Sequence, residues 1–179
     1  MLRQANDRAK ASEMEHAIRS HIRKHLDEDP ILYRKLSERL DEILKTLADQ
    51  WDALLAAMQG IIADLRSGGD ADGGVLPDLP EHYLPFSRMM LDGLPDKENP
   101  SSETLARVRD LSVEVVDMIV GELTPSFWEP HRLPAQQALG SRIFGALHKS
   151  RMFPVSALSS LKDRLLELAR ANQQRLLGL

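Results

Sequence analysis

The chain contains no cysteine, and only eight of its 179 residues are aromatic. The first absence excludes a disulfide framework, a thiolate nucleophile and cysteine-ligated zinc, and it fits a reducing, cytoplasmic setting. The second leaves leucine, isoleucine, valine and methionine to fill the core. It also denies the chain the rows of rings on which nucleic-acid bases stack. No apolar run comes near the roughly 20 residues that span a bilayer, so no membrane partner is expected. The opening ten residues, punctuated by Arg3, Asp7, Arg8 and Lys10, lack the apolar centre of a secretory leader.

Catalytic signatures are missing as well. A phosphate cradle needs paired glycines and a following Lys-Ser or Lys-Thr at fixed spacing, and none occurs. A nuclease core of paired carboxylates needs an acidic residue two places before a lysine, and no lysine here has one. Scattered serines and histidines offer no strained elbow or triad context. The expectation is a chain with no catalytic residue and no cofactor or metal of its own.

Helical periodicity is what the chain has in abundance. Strand-like alternation of convincing length is absent, so the expected fold is all-α, within one domain of ordinary size. Met14, Ile18, Ile22 and Leu26 recur every four residues and predict a helix over about 6–27. Asp29 followed by Pro30 reads as an N-cap and first-turn proline opening a second helix. There, Leu40, Leu47, Leu54 and Ile61 are spaced by sevens, and so are Leu44, Trp51, Met58 and Leu65. The two sets interleave as the a/d seam of a coiled coil. The pattern predicts one long helix over about 30–66, some 55 Å at ~1.5 Å per residue, packed on the N-terminal and C-terminal helices. Gly60 is its weak point.

Residues 67–100 read as a Gly/Pro-rich linker holding a short helix, Leu84–Leu91. Asp70, Asp72 and Gly73 faintly resemble a calcium loop, but Gly74 stands at a ligand position and no closing Glu follows. Residues 101–179 predict three helices. The first is capped by Asn99 or Ser101, the second covers 135–148, and the last carries Leu158, Leu161, Leu165 and Leu168. Between the first two, Phe127 and Trp128 are expected to plug a hydrophobic corner.

Two features invite chemistry. Residues 61–130 carry 14 acidic and 5 basic side chains, whereas residues 131–179 carry 8 basic and 2 acidic. The basic end could contact DNA, or the two segments could neutralise each other within one fold. His21 and His25, at i and i+4, share a helical face and could ligate zinc or nickel. His16 lies about 140° around the helix from His21, and no metalloprotease motif accompanies the pair, so a solvated or helix-terminal pair is the expected reading.

The densest pattern spans residues 13–44. Glu13, Met14, Glu15, His16 and Arg19, then Glu28, Asp29 and Pro30, then Tyr33, and then Leu36, Ser37, Glu38, Arg39 and Leu40 form a helix–corner–helix. This segment resembles the C-terminal region of the restriction (R) subunit of type I restriction–modification enzymes. Trp51, Pro85–Phe86 and Phe127–Trp128 extend the resemblance more weakly across the chain. The aromatic turn departs from the Asp-Trp pattern expected before the last helices, which leaves the register of that part open. The resemblance implies a C-terminal helical domain that docks the motor and nuclease subunit onto the methyltransferase (M) and specificity (S) subunits. It implies contact with the other R-subunit domains, and with DNA only through the complex. ATP and magnesium are implied for the parent enzyme alone. Glu13, Met14, Glu15, His16, Arg19, Pro30, Tyr33, Ser37, Glu38 and Arg39 are the motif positions that could serve either as scaffold or as contact.

Overall fold

A computed structural model describes residues 2–48, 50–66 and 79–178, and every element among them is helical. The chain forms two compact units, Met1–Gly74 and Val75–Leu179.

The first unit holds α1 (Leu2–His25), α2 (Pro30–Thr46) and α3 (Trp51–Arg66), each packed on the other two. The expected single helix over 30–66 is therefore two helices of about 25 Å. Thr46 Oγ1 donates back to the carbonyl of Glu42 at 2.7 Å, a side-chain bond that favours bending. Leu47 leaves helical geometry while its N–H still bonds Ile43. A turn from Leu47 to Gln50 then starts α3. The heptad spacing runs through this break in phase, because what the stripe requires is a cover. Folding α3 back supplies one: Leu36, Leu40, Leu54, Met58 and Ile61 share a core with Ile18 and Ile22 of α1. Burying a side chain of this size is worth about 1.5–3 kcal/mol. The seam is thus closed inside the unit, with Leu44, Leu47, Trp51 and Leu65 half-buried at its edge.

The second unit holds α4 (Leu84–Asp92), entered through a 3-10 turn at Glu81–Tyr83, then α5 (Ser102–Glu122), α6 (Leu133–Ser150), α7 (Val155–Ala171) and a last turn α8 (Gln173–Leu177). Ser101 rather than Asn99 caps α5, accepting from the Thr104 N–H at 3.1 Å. The packing order α4–α5–α6–α7–α4 closes a ring of four helices. The short helix read as part of a linker is therefore the fourth member of this bundle, with every residue from Pro85 to Met90 buried. At Gly140 the helices α6 and α7 come close, since an added Cβ would sit 3.3 Å from Leu166. The calcium-loop positions Asp70, Asp72, Gly73 and Gly74 lie outside the described residues.

In α3, by contrast, a Cβ at Gly60 would meet nothing nearer than the Arg39 guanidinium at 3.9 Å. Gly60→Ala should therefore raise stability by about 1 kcal/mol in urea unfolding. Gly140→Ala should bring less than that, because Leu166 must yield.

Candidate functional site

The segment carrying the family resemblance forms the corner between α1 and α2. Asp29 is buried and accepts from the Leu32 N–H at 3.1 Å, which satisfies one orphan donor of α2. Pro30 takes the first helical position, where its missing N–H costs nothing. The Glu28 N–H reaches back to the His25 carbonyl at 3.0 Å and closes the turn.

Charged pairs then set the helices side by side. Arg19 Nε donates to Glu15 at 2.8 Å, while its Nη2 crosses to Asp41 of α2 at 2.7 Å. Those two hydrogen bonds, Glu15 first, hold the guanidinium above its ordinary pKa. Arg39 of α2 donates to Asp64 of α3 at 2.6 Å. At partly exposed sites each such pair is worth under about 1 kcal/mol, so they set register more than stability. Tyr33 of α2 packs across the rings of His21 and His25.

Nine of the ten motif positions thus separate into two groups, with Ser37 between them. Met14, Glu15, Arg19, Pro30, Tyr33 and Arg39 each hold the three-helix unit together, through packing, a helix start or an ion pair. Ser37 is half-buried on α2. Glu13, His16 and Glu38 are exposed, and their side chains make no hydrogen bond or ion pair among the described residues. The cross-links Arg19–Asp41 and Arg39–Asp64 were not visible in the sequence, because their partners sit 22 and 25 residues away. Only the i, i+4 half, Glu15–Arg19, had a sequence signal.

Among the described residues, no group of three or more His, Cys, Asp or Glu side chains could hold a metal ion. His21 and His25 face Tyr33 and Glu28 instead.

In the second unit part of the charge asymmetry of the sequence is taken up in ion pairs. Arg142 pairs with Glu122 at 2.8 Å and Arg164 with Asp92 at 3.2 Å, and Arg175 pairs with Glu81. Each bond joins the basic end of the chain to the acidic segment before it. Lys162 is held by its neighbour Asp163 at 2.7 Å. Lys149, Arg151 and Arg170 remain exposed.

The corner between α5 and α6 is plugged by Phe127, fully buried with the Trp128 ring edge-on at 4.9 Å. Two glutamines stitch it. Gln136 Nε2 donates to the Phe127 and Glu129 carbonyls, and Gln173 Nε2 to those of Thr124 and Pro125. No sequence pattern marked either glutamine. A shallow groove of about 510 Å³ runs between α6 and α7, floored by Phe144 and Leu166 and rimmed by Gln136, Gln137, Lys162 and Asp163. Ser141 also lines it, with its Oγ donating to the Gln137 carbonyl at 3.0 Å.

No described helix is long and apolar enough to cross a membrane. No protein-family model, curated protein or solved structure matches the chain.

Substitution separates the two groups of motif residues. Glu13→Ala, His16→Ala and Glu38→Ala should leave unfolding free energy within about 0.5 kcal/mol of the parent chain. Tyr33→Ala should cost about 2–3 kcal/mol, because it strips a half-buried ring from the corner.

Proposed function

We propose that the chain is a non-catalytic assembly domain of a type I restriction enzyme R subunit, docking the motor and nuclease parts onto the M/S methyltransferase core. The reading rests on the resemblance of residues 13–44 to that family. One observation carries it further: Glu13, His16 and Glu38 belong to the pattern yet take no part in holding the helices. An exposed polar residue within a family pattern, with no duty inside the fold, fits a contact with another protein. The surrounding scaffold suits the role, since short helices sealed over their own core present stiff surfaces that lose little entropy on binding. ATP and magnesium belong to the parent enzyme's motor and nuclease domains in this reading.

The alternative, a DNA-contacting module built on the basic C-terminal segment, draws less support. Arg142, Arg164 and Arg175 are engaged with acidic partners of the same unit. Phosphate binding would have to compete with those pairs.

The purified chain should bind a reconstituted M/S core in native mass spectrometry. The triple variant Glu13→Ala/His16→Ala/Glu38→Ala should bind at least about tenfold more weakly, a loss of about 1.4 kcal/mol, without loss of helicity. A chain that fails to bind a core to which an intact R subunit does bind would overturn the assignment. Duplex DNA at about 50 mM salt should migrate unchanged in its presence. A retardation that fades steeply with added salt would favour the alternative.

A further inference from the structure

The face where α6 and α7 meet carries apolar surface that the second unit does not cover. Among the described residues of that unit, only Leu133 and Val155 are large apolar side chains left exposed, at 51% and 74%. Leu133 opens α6 and Val155 opens α7. A short turn joins the two helices and sends them back along each other, so these residues stand at opposite ends of the groove between them. Leu133 lies two turns before Gly140, and Val155 two turns before Lys162, on the faces that line the groove. Between the two ends the floor is Phe144 and Leu166, both half-buried, with the His148 ring parallel to Phe144 at 6.4 Å. Apolar points are thus spread along about 25 Å, the length of some sixteen residues of helix. Each end also has an exposed arginine that pairs with no acid among the described residues, Arg170 at the Leu133 end and Arg151 at the Val155 end. In the middle Lys162 is matched by Asp163, and Glu167 is the other acid on this side of α7. Arg151 holds a left-handed backbone, φ 55°, a conformation that favours glycine. An arginine stands there despite that cost, and it has no duty inside the fold.

We propose that this groove docks an amphipathic helix of a partner protein, one whose apolar stripe carries acidic residues near both ends. Laid along the groove, such a helix would set its stripe on Phe144 and Leu166 and close over Leu133 and Val155. Its carboxylates would then face Arg170 and Arg151, which gives the complex both its polarity of charge and its register. Gly140 and Ser141 keep the α6 wall low, so a second backbone can come near. Other occupants fit less well. An extended strand would find no sheet edge to pair with, because every described element is helical. A phosphate chain would meet rings and leucine on the floor where it needs donors. A membrane surface would touch the rim but not a floor recessed between two helices. The surface belongs to the second unit and uses none of the exposed motif residues of α1 and α2, so it stands apart from the R-subunit reading.

Two synthetic helical peptides of about sixteen residues test this against the full chain. Both carry a leucine stripe on one face with alanine elsewhere; one has glutamates flanking the stripe near both ends, the other lysines at the same places. In calorimetric titration at low salt the glutamate peptide should bind at least about tenfold more tightly than the lysine peptide. Its binding should shift the nuclear magnetic resonances of Phe144, His148 and Leu166. Leu133→Ser/Val155→Ser should weaken it about tenfold with helicity unchanged, since both side chains already stand in water. Arg151→Gly/Arg170→Ser should erase the preference for glutamate without loss of thermal stability, because glycine suits the left-handed turn. Should a variant lose helicity, the contrast between the two peptides on the parent chain decides. No saturable binding of the glutamate peptide at millimolar concentration, equal binding of the two peptides, or shifts that fall outside the groove would each overturn the proposal. So would sedimentation of the chain with phosphatidylglycerol vesicles that is lost in Leu133→Ser/Val155→Ser, which would make the face a membrane contact.

Discussion

Leu36, Leu40, Leu54, Met58 and Ile61 share one buried seam, and the turn after Leu47 is what lets them do so. A helix with a broad apolar stripe has to find a cover, and water makes leaving it bare costly. In this chain the cover is the other half of the same stripe. Once α3 has folded against α2 and α1, ion pairs from Arg19 and Arg39 hold the helices in register. The corner, its ring cluster and the exposed motif residues all depend on that closure.

Much of the architecture was legible in the residues. The all-helical class, the start of α2 at Asp29–Pro30, the capping of α5 and the apolar rows of α5 to α7 all followed from period and cap chemistry. What could not be read was how the stripes find their cover. A seven-residue spacing carried unbroken from Leu40 to Ile61 is satisfied equally by one long helix on a partner or by two short ones on each other. No proline or glycine marks the bend. Likewise Leu84–Asp92 is short and lies among Gly- and Pro-rich residues, so its local composition argued for a linker. Its place was decided by α5 and α7, which lie well downstream.

The candidate site was legible in the same uneven way. The spacing of Glu15 and Arg19 declared a local pair, whereas Asp41 and Asp64 became partners only through the fold. The i, i+4 spacing of His21 and His25 declared a shared face and nothing more, because sequence shows what shares a face and not what lies opposite. What lies opposite is Tyr33. Of the opposed charges of 61–130 and 131–179, Arg142 and Arg164 help hold α5 to α6 and α4 to α7, while Lys149, Arg151 and Arg170 stay exposed.

The buried helix α4 has one more implication. Side chains from Pro85 through Met90 are covered on every face, so this helix cannot rest on a single neighbour. It needs α5 on one flank and α7, some seventy residues later, on the other; Asp92 and Arg164 join across that gap, 72 positions apart. Shortening the polypeptide anywhere before α7 would strip α4 of one wall and leave Phe86, Met89 and Met90 facing water. The C-terminal bundle is therefore indivisible, and any smaller working piece of this protein has to be cut upstream of Glu81 rather than within the bundle.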